Sequence, residues 1–110
     1  MSTLAFVAVA ALGATLAQAP SAPGPDARDS GPDKIDVSTY PAEQKARYAL
    51  FQQKCAKCHA LARPVNSRFT AAEWKHYMKR MVRRPNAGIT QEQAEDIFEF
   101  LKYYSSTLGL

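Results

Sequence analysis

Cysteine and histidine are scarce in this chain: two of each in 110 residues, beside a single tryptophan. That scarcity weighs against a zinc centre, which takes about four ligands. The only candidates would be Cys55, Cys58, His59 and His76, and His59 is crowded against Cys58. No convincing strand precedes Cys55, so the strand-then-helix setting of a thiol–disulfide oxidoreductase is missing too. No apolar run reaches the ~20 residues of a comfortable membrane span; Leu4 to Leu16 falls short of it. There is no phosphate-binding glycine loop, no nucleophile with its base and no acid–base pair, so no turnover machinery marks an enzyme. The net charge is +4, yet no stacking or recognition pattern accompanies the basic residues, so nucleic acid is not the expected partner.

What the sequence does carry is Cys55-Ala56-Lys57-Cys58-His59, a C-x-x-C-H run that uses both cysteines. Two thiols at this spacing can each form a thioether to one vinyl group of a haem, and the adjacent histidine then lies under the iron as its axial ligand. Thiol exchange and zinc binding are the rival uses of C-x-x-C alone. The directly following histidine favours haem. Both cysteines would be consumed as thioethers, so no structural disulfide is expected.

Residues 1–19 read as an export signal: the apolar run is followed by Ala17-Gln18-Ala19, an A-x-A cleavage pattern, although no Lys or Arg precedes the run. Cleavage would release a soluble periplasmic protein; an uncleaved segment would tether it to the inner membrane. Residues 20–39 contain Pro20, Pro23, Pro25 and Pro32 among Gly, Ser and Asp, without hydrophobic periodicity. A disordered linker is expected there. The folded domain is then 40–110, about 70 residues, which is marginal for an unaided core. A buried haem would supply the missing apolar surface, so the haem-free chain is expected to be largely unfolded.

Three helices are expected and no strand, hence an all-α fold. The first runs from about Pro41 to Lys54, capped by Ser38 or Thr39, with Pro41 suited to a first turn. Tyr48, Phe51 and Cys55 share one face, an aromatic edge expected to face the haem. The second starts at a T-x-x-E capping box, Thr70 and Glu73, with Phe69 and Trp74 as a staple, and runs to about Arg83. The third starts at Thr90 and Gln93. Its stripe of Ala94, Ile97, Phe98, Leu101 and Tyr104 ends it at Tyr104 or Ser105.

With its C-x-x-C-H motif and this order of helices, the chain resembles the small monohaem c-type cytochromes, class I-like, over roughly residues 40–106. Phe51 stands four residues before the first cysteine, where that family commonly has Phe or Tyr. Arg47 stands eight before it, where the family usually has Gly. The resemblance implies about three main helices wrapped on one haem c attached through Cys55 and Cys58, with a C-terminal helix packed on the first. The W-x-x-Y-x-x-x-M spacing of Trp74, Tyr77 and Met81 looks like a variant found in short cytochrome domains, where that methionine is the iron ligand.

The sixth iron ligand separates electron transfer from ligand binding. Met78, Met81 and His76 are the candidates. At about 100° per residue, Trp74, Tyr77, Met78, Met81 and Val82 share a face, whereas His76 falls among Lys79, Arg80 and Arg83. Met81, near the Arg84-Pro85 turn, is preferred to Met78, and His76 is expected in solvent. Four aspartates against two bases give the linker a local −2 and leave +6 on residues 40–110. Arg63, Arg68 or the Trp74 N–H could neutralise haem propionates. The remaining bases, from Lys54 to Arg84, would steer an acidic redox partner by salt-sensitive association. The expectation is a periplasmic, monomeric carrier of single electrons with iron held by His59 and Met81, not an enzyme. The alternatives are a haem-based ligand sensor with an open sixth position, or a haem subunit docked permanently on a larger oxidoreductase.

Overall fold

The computed structural model describes residues 24–110, together with 13 and 14. The rest of the expected export signal, and residues 20–23 of the expected linker, lie outside the described residues. Among the described residues there are four α-helices, one 3-10 turn and no strand, so the chain is all-α as its periodicity predicts.

Helix α1, Ala42–Cys55, starts directly behind Pro41, whose ring holds φ at −54° and whose missing N–H costs a first turn nothing. Pro41 is itself the cap position and no side chain bonds the first turn. Ser38 and Thr39, the expected caps, are committed to a turn in which the Tyr40 N–H donates to Val37 O at 3.0 Å. Helix α2, Ala62–Val65, is a single turn after the C-x-x-C-H run that the sequence reading missed. Helix α3, Ala71–Val82, opens on a complete capping box: the Glu73 N–H donates to Thr70 Oγ1 at 3.3 Å and the Thr70 N–H to Glu73 Oε2 at 2.8 Å. Phe69 stands edge-on to Trp74 with centroids 4.9 Å apart, completing the staple.

Helix α4, Gln91–Thr107, repeats the device with Thr90 and Gln93. It ends two residues beyond Ser105, and there Ser106 and Thr107 donate their hydroxyls back to Tyr103 O and Tyr104 O at 2.5 and 2.6 Å.

The core lies along α4. On one side α1 presents Tyr48 and Phe51 to Phe100, with centroids 5.3 and 5.7 Å apart. Phe51, Ile97, Phe100 and Leu101 retain no exposure, and each contributes about 1.5–3 kcal/mol by burial. On the other side α3 buries Trp74, Tyr77 and Met78. The Trp74 Nε1–H donates to Ser105 Oγ at 2.7 Å, and that hydroxyl donates to Phe69 O at 2.6 Å. Arg47 is half-buried on α1, where a glycine would allow closer approach, and reaches out to Glu43 at 3.0 Å and Asp96 of α4 at 3.4 Å. Helices α1 and α3 each pack on α4 and not on one another.

The expected linker is the main correction. From Asp26 onward it is laid along the domain by polar contacts that hydrophobic periodicity does not register. Asp26 caps the 3-10 turn Ala27–Ser30 by accepting from the Arg28 N–H at 3.0 Å. Arg28 donates to Asp26 and to Ser67 Oγ, and Arg63 donates to Asp29 at 3.0 and 2.5 Å. The two N–H groups of the Asn66 amide are shared among Arg28 O, Pro32 O and Ala62 O, all within 3.0 Å of Nδ2. Gly31 is required at this contact, since a Cβ there would come within 2.5 Å of Asn66 Nδ2. Ile35 and Val37 then pack against the core, and the Ile35 N–H donates to Tyr48 Oη at 3.0 Å. The folded unit therefore begins near residue 26 rather than at 40.

Candidate functional site

Because α4 holds α1 and α3 apart, a gap remains between the end of α1 and the far half of α3. A cavity of about 350 Å³ fills it, within the usual size range of small-molecule sites. Cys55 comes from the last turn of α1, and Cys58 and His59 from the turn that follows. Tyr77 and Met81 come from α3, and Arg84, Pro85, Ala87 and Ile89 from the α3–α4 loop. Three stretches of chain thus converge on one space. Cys58 is exposed, so the cavity opens to solvent beside the second thiol.

The loop holds its shape with Asn86 at φ +61° and Gly88 at φ +63°, a region asparagine and glycine tolerate best. The Lys54 ammonium donates to Gly88 O at 3.0 Å, clasping the loop to the end of α1. Asn86 and Gly88 are the cue in the sequence that the loop turns back here.

Of the expected site residues, Cys55, Cys58, His59 and Met81 line this cavity together. Met78 does not. It is 5% exposed and lines a separate groove on the other flank of α3. His76 is exposed on the outer face of that helix and lines neither. The aromatic edge of α1 is corrected: Tyr48 and Phe51 lie against Phe100, and only Cys55 of that face reaches the cavity. Seven residues of helix span about 10 Å, and the cavity is only at the C-terminal end.

The histidine is set in one tautomer. Its Nδ1 lies 3.1 Å from Ala60 O, and since a carbonyl can only accept, Nδ1 carries the proton. Nε2 then presents a lone pair towards Tyr77, whose hydroxyl donates to it at 3.4 Å. An imidazole fixed by a backbone carbonyl, with Nε2 as donor, is the usual arrangement of a metal-binding histidine. Tyr77 was legible as part of the apolar face of α3, but its approach to His59 depends on tertiary packing.

Burial pushes the Cys55 thiol up to about 12, with the nearby Cys58 adding to the effect. It is a neutral thiol at physiological pH, unlike the low-pKa nucleophile of an oxidoreductase. Burial likewise pushes the Tyr77 phenol up to about 12, with Cys55 the second cause. Among the described residues no three His, Cys, Asp or Glu side chains gather as a metal site.

Charge around the cavity is of one sign. Lys54, Arg63 and Arg84 line it and no carboxylate does. Two of the proposed propionate partners are otherwise engaged: Trp74 Nε1 is spent on Ser105, and Arg63 is shared with Asp29. Arg68 is exposed at φ +51° and lies outside the lining. Arg84 is the lining cation the sequence reading did not single out for this role. Lys75, Lys79 and Arg83, counted in the sequence among the bases near a haem, line the other groove instead.

The donor set can be tested against a haem. Two sulfurs, one imidazole whose unprotonated Nε2 is met only by the long Tyr77 contact, and one thioether face a partly apolar space rimmed by cations. A flat apolar group carrying two carboxylates and an iron fits that chemistry. No helix among the described residues is long and apolar enough to cross a membrane. No family model matches the chain, and neither the curated proteins nor the solved structures give a match.

Proposed function

We propose that the protein is a monohaem c-type carrier of single electrons, exported to the periplasm, with its small helical domain wrapped on one haem c. The observation that supports it best is the shared cavity of Cys55, Cys58, His59 and Met81, residues drawn from separate stretches of a chain with only two cysteines.

In this reading Cys55 and Cys58 would hold the cofactor by thioether bonds, and His59 Nε2 and the Met81 thioether would bind its iron. The haem supplies one-electron ferric–ferrous chemistry when bound. The protein residues do the rest. The Ala60 carbonyl keeps the His59 proton on Nδ1, so Nε2 remains a donor. Tyr77, Pro85, Ala87 and Ile89 limit water on the Met81 side, and a thioether with apolar surroundings favours the reduced state. Arg84 and Lys54 supply positive charge for the carboxylates. Thiol exchange is the weaker reading, because His59 directly follows Cys58 and no strand precedes Cys55 among the described residues.

The test is an optical spectrum of protein exported from a host that attaches haem. A c-type ferrous spectrum with haem retained after denaturation, together with a ferric sulfur-to-iron band, is expected. Covalent haem without that band, and stable carbon monoxide binding to the ferrous protein, would move the assignment to a ligand sensor. Absence of covalent haem in a well-matured sample would sink the proposal. Copurification in fixed ratio with a larger oxidoreductase would make the protein a subunit rather than a free carrier.

A further inference from the structure

A second recess lies between α3 and α4, on the flank of α3 opposite the cavity, with a volume of about 320 Å³. Its floor is apolar: Met78 and Val82 from α3, Ala94 and Phe98 from α4. The small side chain of Ala94 is what lets the floor sink between two packed helices. Its lips carry opposite charges. Along α3, Lys75, Lys79 and Arg83 recur every fourth residue and stand in solvent on one edge. Along α4, Glu95 is exposed on the other edge, one turn after the exposed Glu92.

These charges find no partners of opposite sign within the molecule. Among the described residues, Lys75, Lys79 and Arg83 make no ion pair, and neither do Glu92 and Glu95. Glu95 accepts only from Gln91 of its own helix, at 3.3 Å. An acidic partner would suit the α3 lip and be repelled by the α4 lip; a basic partner would meet the reverse problem. The surface that suits both lips has the same apolar strip with the two signs exchanged from left to right. A two-fold rotation about an axis parallel to the helices makes that exchange while preserving height along them.

We propose that this groove is a self-association surface, in which a second copy of the chain lays its α3 over the first copy's α4. Lys79 of each copy then faces Glu95 of the other, and the two apolar floors close on one another. This replaces the monomer expected from sequence with an isologous dimer. The haem cavity lies on the opposite flank of α3, so both cavities stay on the outside of the pair. No residue that lines those cavities lines the groove.

The test is sedimentation equilibrium of the full chain, with Lys79→Glu, Glu95→Lys and their equimolar mixture. The wild type should associate to a dimer at concentrations up to about 0.5 mM. Each single variant places two like-charge contacts in the symmetric interface and should dimerise about tenfold or more weakly. The mixture should recover association, because a mixed dimer again opposes unlike charges at both contacts. Far-UV spectra unchanged from wild type would show that the variants fold. A wild type that stays monomeric throughout overturns the proposal and leaves the groove to a foreign partner. So does a single variant that dimerises as well as wild type, or a mixture that fails to recover.

Discussion

Ser105 is a small side chain on which two helices depend, and its removal should be costly. It is 2% exposed, Trp74 1%. Its hydroxyl accepts from the indole N–H at 2.7 Å and donates to Phe69 O at 2.6 Å, so one atom ties α4 to both the entry and the first turn of α3. Ser105→Ala deletes both bonds and leaves a buried N–H without a partner. An ordinary hydrogen bond contributes about 0.5–1.5 kcal/mol net, and a stranded buried donor costs about 1–3 kcal/mol. The expected loss is therefore about 2–4 kcal/mol, a large share of the 5–15 kcal/mol typical of a whole domain. For a domain of this size that corresponds to roughly 10–25 °C in Tm. Urea unfolding followed at 222 nm measures it, and Trp74→Phe isolates the cause. With no indole N–H to strand, Ser105→Ala should cost about 1–2 kcal/mol less in the Trp74→Phe background. A loss below about 0.5 kcal/mol, or an equal loss in both backgrounds, would refute the reasoning.

The two methionines should part company. Met81→Ala should keep covalent haem but lose the ferric sulfur-to-iron band, whereas Met78→Ala should keep the band and lose about 2–5 kcal/mol of stability from the core; the opposite pattern in the spectra would reverse the ligand assignment. Asp26 and Asp29 are held below the usual carboxylate range, first by their bonds to Arg28 and Arg63 respectively. A depressed folded pKa stabilises the fold above the unfolded value of about 3.9, and the contribution is lost as pH falls below it through the folded values. Carbon-13 shifts of the two carboxyl groups should titrate below about 3.9, and midpoints at or above that value would show that the strap is not clasped in solution. Cys55→Ala with Cys58→Ala should give a haem-free chain with helical signal but no cooperative urea transition; a sharp transition with the slope of a complete domain would show that the helices need no cofactor.

The helices were legible where local chemistry alone determines them. Thr70 with Glu73 and Thr90 with Gln93 fix two starts through reciprocal bonds within four residues. The spacing of Trp74, Tyr77 and Met78 fixes the buried face of α3. What was not legible depends on partners distant in sequence. The strap was read as disorder because its hold on the domain comes from Asn66, Arg63 and Ser67, more than thirty residues away. Its two apolar side chains, Ile35 and Val37, are too few to form a periodic signal. The aromatic edge of α1 was read correctly as one face but assigned to the wrong neighbour, since periodicity identifies a buried face and not what buries it. In the site, the sulfur and imidazole donors announce themselves by spacing. The division of the bases between cavity and groove does not, because it depends on how α3 packs on α4.

That division follows from one packing relation. Helices α1 and α3 bring the donors at or just beyond their ends, and the backbone of each approaches α4 and not the other. Aromatic side chains of α1 and α4 fill the space those two helices share, whereas the space between the end of α1 and the far half of α3 is left as the cavity. There the hydrogen bonds that bridge the gap are the Lys54–Gly88 clasp and the long contact from Tyr77 to His59. A group bonded to Cys55, Cys58 and His59 on one side and to Met81 on the other would supply the missing contact between the two helices. The cofactor and the fold would then answer the same need. Further apolar area would come from the haem, and the ligand spacing would be set by a helix, α4, that carries none of the ligands.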